Sequence, residues 1–83
     1  MQYCNIDVIN VKALEDYKLH LQFEDGYAGV VDIAKIVPFD GIFKPLQDKA
    51  FFNRVFVNHE LGTICWENGA DLSPSCLHEN TRA

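Results

Sequence analysis

Apolar and polar residues alternate with a period of two along the first third of the chain. Tyr17, Leu19, Leu21 and Phe23 are separated by Lys18, His20 and Gln22, the pattern of a strand with one buried and one wet face. Upstream, Ile6, Val8 and Val11 fall on one side and Ile9 on the other. This imperfect alternation predicts a first strand over residues 6–14 with a bulge or bend near Asn10. Downstream, Tyr27, Gly29, Val31 and Ile33 alternate with Ala28, Val30 and Asp32. Two hairpin registers compete across Glu24-Asp25-Gly26. A two-residue Asp-Gly loop sets Leu19 opposite Asp32, whereas a three-residue loop with Gly26 left-handed sets Leu19 opposite Val31 and Tyr17 opposite Ile33. The second register keeps the apolar faces together and is the one expected.

The alternation breaks after Ile33. Residues 34–37 can form a helical turn, but Pro38 pushes Val37 out of the helical region and Asp40-Gly41 turns the chain. Phe43, Leu46, Phe51 and Phe52 supply apolar anchors, and Asp48 is placed to cap a short helix ending at Phe52. Residues 54–58 and 63–66 predict a second hairpin around residues 59–62, with Val55, Val57, Ile64 and Trp66 facing inward. Trp66, the largest apolar side chain, belongs in the core. Asn68-Gly69 then marks a turn, and Ser73 with Pro74 in the first position starts a final helix. Together these elements predict an α+β fold: a small antiparallel β-sheet, made of two hairpins plus an N-terminal strand, with short helices packed on one face.

At 83 residues the chain is expected to form one domain over residues 5–78, with residues 1–4 and 79–83 as flexible termini. A core this small gains from further burial, which favours a homodimer. Three cysteines, Cys4, Cys65 and Cys76, and a start without signal-peptide character fit a reducing cytoplasm. No apolar run approaches the roughly 20 residues of a spanning helix, so no membrane role is expected. Twelve acids against seven bases give a net charge of −5, and the lysines and arginines are separated along the chain. Direct nucleic-acid binding is therefore disfavoured, and a basic partner suits the surface better.

Four constellations could carry chemistry. Cys65, Cys76 and His78, completed by Cys4, His20 or His59, could bind a metal, but they lack the tight ligand pairs of structural zinc sites; buried thiols are the simpler reading. Cys76 or Ser75 beside His78 or His20 could form a nucleophilic pair, but no local signature supports one. Asp32 and Asp71 could do acid–base work, yet both also suit hydrogen bonding to nearby backbone N–H groups. Lys18 and His20 share the wet face of the clearest strand and could form a binding surface, although solvation alone explains them. Five scattered glycines make no phosphate loop, and no cofactor is expected.

Three stretches carry a further signal: Phe23-Glu24-Asp25-Gly26, Val31-Asp32-Ile33, and residues 64–77, ICWENGADLSPSCL. Together they resemble a small bacterial family known as domain of unknown function 2442, whose members read roughly F-x-D-G, V-D-[LI] and I-x-W-x-[ND]-G-x-D-L-x-P-x-x-L. The resemblance covers about residues 5–78 and implies a compact α+β domain. It also implies a partner: members stand alone or are fused to a helix-turn-helix domain, and stand-alone members are often encoded beside another small protein, as in toxin–antitoxin pairs. No catalytic residues come with it. Glu67 stands where the family commonly has proline, and His78 where tyrosine is usual. The combined expectation is a non-catalytic protein-interaction module, regulatory or antitoxin-like, with Lys18, His20, Asp32, Trp66, Asn68 and Asp71 as its interaction or motif residues. The alternative is a small enzyme or ligand-binding domain using Asp32 and Asp71, or Cys76 and His78.

Overall fold

The computed structural model describes residues 6–82; the expected flexible segment 1–4, with Cys4, lies outside them. β1 (Val8–Ala13), β2 (Lys18–Phe23) and β3 (Ala28–Asp32) form an antiparallel sheet in that order. The three-residue loop is the one adopted. Leu19 pairs with Val31, Gly26 has φ +91°, and the Phe23 N–H donates to Tyr27 O at 2.8 Å across the loop. In β1 the register shifts between Val8 and Asn10. That bulge buries Val8 while leaving Ile9 exposed.

The β1–β2 turn differs from expectation. Tyr17 belongs to the turn and not to β2: Asp16 and Tyr17 both have φ of 60°, and the Lys18 N–H donates to Glu15 O at 3.3 Å. Two successive left-handed residues at the centre match the right-handed twist of the flanking strands. An aromatic residue resists that conformation, and tertiary contacts hold it there. The Tyr17 ring meets Phe39 and Phe52 edge-on, with centroids 5.2 and 5.4 Å away, and its hydroxyl donates to Gln47 O.

After β3 come α1 (Ile33–Ile36), a 3-10 helix over Gly41–Gln47, and α2 (Lys49–Phe52). Asp48 caps α2 by accepting the Ala50 N–H at 3.0 Å. β4 (Phe56–Asn58) and β5 (Thr63–Cys65) form a second, two-stranded sheet. It joins the first where the Val8 N–H donates to Gly62 O at 2.9 Å. Gly62 has φ +71°, and a Cβ there would overlap the Asp7 carboxylate unless that side chain moved, so glycine is favoured at this junction.

Period-two alternation puts Leu19, Leu21, Phe23 and Val31 on one face of the first sheet, where they are fully buried. Leu46, Phe52, Ile64, Trp66 and Leu77 from the helices and the second hairpin close over them. Each such side chain contributes about 1.5–3 kcal/mol by leaving water. Trp66 is buried as expected, and its Nε1–H donates to Phe52 O at 3.0 Å, so its polar atom is satisfied inside the core.

α3 (Pro74–Asn80) starts at Ser73, whose hydroxyl accepts the Cys76 N–H at 3.1 Å. Beyond it the chain does not trail away from the fold. Thr81 is buried and accepts the Tyr27 hydroxyl on its carbonyl at 2.8 Å. Arg82 exchanges two backbone hydrogen bonds with Val30, both 2.8 Å, and so lies along the outer edge of β3. Residues 79–82, expected to belong to a flexible polar tail, are thus part of the domain.

Candidate functional site: a cationic cleft beside β3

The wet face of the first sheet is organised in cross-strand rows. Residues directly opposite one another point to the same side, so Lys12, His20, Val30 and Arg82 form one row through their successive pairings. Lys18 and Asp32 form the next. α1 leaves β3 immediately after Asp32 and brings Lys35 and Ile36 to the same corner, while the end of α3 brings Asn80. Between them lies a cleft of about 310 Å³. Lys18, Lys35 and Arg82 line it with positive charge, Asp32 with negative charge, Asn80 with an amide, and Val30 and Ile36 with aliphatic surface. Cations well separated in sequence are neighbours here. None of the three forms an ion pair within 4.0 Å among the described residues, where the pairs are Arg54–Glu67 and His78–Asp25.

Asp32 is the unusual member. It occupies the N-cap position of α1, yet its side chain makes no hydrogen bond to the helix. Its Oδ1 is buried and has no hydrogen-bond partner among the described residues. The local backbone role expected for this carboxylate is not the one it plays. A buried acceptor left unpaired is costly, by about 1–3 kcal/mol. The arrangement can hold an anion on the cations.

The family model described as "Protein of unknown function (DUF2442)" matches residues 8–83. The chain belongs to the DUF2442 family. Comparison with curated proteins and with solved structures gave no match. The long motif of this DUF2442 domain is largely scaffold. Asn68 donates its amide to Ile42 O at 2.9 Å and accepts the Ala70 N–H at 3.1 Å, which ties the Asn-Gly turn to the 3-10 helix. Asp71 forms an isolated bridge with Cys65 through the backbone and is exposed, and the side chain that caps the following helix is that of Ser73. Asp71 does not line the cleft with Asp32.

His20 is exposed and lines a separate shallow depression of about 170 Å³ with Asn10, Lys12 and Gln22. Cys76 and His78 do not form a pair in this DUF2442 domain, because two residues apart on a helix do not face each other. The Cys76 sulfur lies 3.8 Å from the Asn80 amide nitrogen. The His78 ring instead packs on Phe23 and Tyr27, with centroids 4.7 and 4.8 Å away, and its Nε2 sits 3.2 Å from Asp25 Oδ2. This histidine thereby makes both aromatic and polar contacts. Among the described residues no group of three or more His, Cys, Asp or Glu side chains is placed to hold a metal ion. No helix is long and apolar enough to cross a membrane.

Sequence reasoning missed Lys35 and Arg82. Lys35 sits in a stretch without clear periodicity, and Arg82 in what reads as a tail. The one local signal was the Lys18–Asp32 juxtaposition, which appears only once the register is drawn together with its wet face.

Proposed function

We propose that this DUF2442 protein is a cytoplasmic, non-catalytic interaction module that docks by strand addition at the outer edge of β1, first of all with a second copy of itself. The observation that carries this reading is the state of that edge. β1 ends the sheet, and on its outer side the backbone bond to another element among the described residues is Val8 N–H to Gly62 O. Further along, the Val11 N–H is held by the side chain of its own neighbour, Asn10 Oδ1, at 2.9 Å. A side chain that caps an edge donor can swing aside for a strand. Apolar surface flanks the edge: Ile9 on β1 is 46% exposed, and Phe56 and Leu61 in the adjoining hairpin are 44% and 55% exposed. Two such edges meeting antiparallel would make one continuous sheet with a two-fold axis.

Light scattering at micromolar concentration tests the proposal. The expected species is twice the 9.4 kDa chain, dissociating on dilution, and Ile9→Lys should return it to the monomer without unfolding, because Ile9 is outside the core. A 9.4 kDa species at every concentration would remove the homodimer.

A further inference from the structure

The cleft beside β3 points to a ligand class that is independent of the β1 edge. The chain carries a net charge of −5, yet Lys18, Lys35 and Arg82 converge on one cavity with a single carboxylate, Asp32. Three formal positive charges against one negative leave an excess of two. Lys12 and His20 lie in the adjoining row of the same face and add no compensating acid. Gathering like charges without partners costs free energy that a bound anion would offset. A small, doubly charged oxyanion meets that deficit. The volume, about 310 Å³, is at the lower end for small-molecule sites, and Val30 and Ile36 offer aliphatic contact for a short carbon chain. Phosphate monoesters carry about −1.5 to −2 charges near neutral pH, which matches the excess.

We propose that the cleft binds a small phosphate monoester, with Lys18, Lys35 and Arg82 on the phosphate and Val30 and Ile36 against its carbon chain. Binding needs no covalent step.

The test is a titration of isotopically labelled protein, followed by amide chemical shifts, with glycerol 3-phosphate, inorganic phosphate, glycerol and malate at physiological ionic strength. Glycerol 3-phosphate should give saturable shifts confined to the amides of residues 18, 30, 32–36 and 80–82. It should bind about fivefold more tightly than inorganic phosphate, which lacks the carbon chain, and glycerol should give no response. Lys35→Gln, at an exposed position, should weaken binding by about tenfold. Asp32→Ala, which removes the one negative charge lining the cleft, should tighten the binding of both anions; if that variant does not fold, Lys35→Gln alone decides. Shifts that grow linearly without saturating, or that are unchanged in Lys35→Gln, overturn the site. Inorganic phosphate binding as tightly as the ester overturns the contact with Val30 and Ile36, and malate binding more tightly than the ester overturns the phosphate class. The oligomeric state, read by light scattering, stands or falls separately.

Discussion

Asp16 and Tyr17 show how a side chain can be held in a backbone conformation that its chemistry resists. Left-handed φ costs a residue with a Cβ roughly 1–2 kcal/mol, somewhat less for Asp. Tyr17 is held there by Phe39, Phe52 and Gln47, so replacing it would remove the compensation together with the strain. Asp16 is exposed and makes no side-chain hydrogen bond among the described residues. Asp16→Gly is therefore expected to stabilise the fold by a few tenths to about 1 kcal/mol, the gain in left-handed freedom exceeding the added entropy of the unfolded chain. Thermal unfolding measures it, and a lower melting temperature would show that the turn draws support from the Asp16 carboxylate.

At the scale of elements, the β2–β3 hairpin depends on Gly26. Its φ of +91° sets the three-residue loop, and a Cβ at this position meets nothing within 4 Å. Gly26→Ala should thus cost about 1 kcal/mol or more through backbone strain alone, with no steric part. An unchanged denaturation midpoint would mean that the loop reaches the same register without a left-handed residue. This hairpin, the bulge near Asn10 and the caps at Asp48 and Ser73 were all legible in the sequence, because each is written in residues within a few positions of one another. Tyr17 was legible only in part: the Ile33 N–H donates to its carbonyl at 3.0 Å, as the register predicts, but its left-handed backbone was not. Its alternation with Leu19 and Leu21 is a strand signal, and the contacts that put it in the turn come from the 3-10 helix and α2, far along the chain. The cleft was illegible on the same ground: Lys18, Lys35 and Arg82 share no local pattern, and only the pairing of Arg82 with Val30 brings the end of the chain to β3.

Across the whole molecule, the loop before Tyr27 is joined to α3 by a polar contact that responds to acid. The Tyr27 N–H foremost, and His78 after it, hold the Asp25 carboxyl below its ordinary value of 3.8, against a partial loss of hydration that pushes it up. In the unfolded chain the same carboxyl takes up its proton at higher pH, so between the two values the folded state binds fewer protons and stability rises with pH. The contribution is complete above the ordinary carboxylate range and is lost as pH falls through the lowered folded value. Melting temperatures recorded below about pH 4 should therefore decline less steeply in Asp25→Asn than in the wild type. Parallel acid limbs would show that Asp25 titrates alike in both states.

The backbone clasp between Arg82 and Val30 also limits how far this sheet could spread from molecule to molecule. One border of the three-stranded sheet is covered at Val30 by Arg82, while among the described residues the β1 border is tied by a backbone bond to the second hairpin at Val8. A sheet with two open borders can polymerise indefinitely, as fibrils do. A sheet with one has a valence of one, so edge pairing closes at two molecules and leaves no free end for a third. Removing the clasp by ending the chain before Arg82 would restore the second valence, turning the proposed self-limiting pair into an open-ended stack.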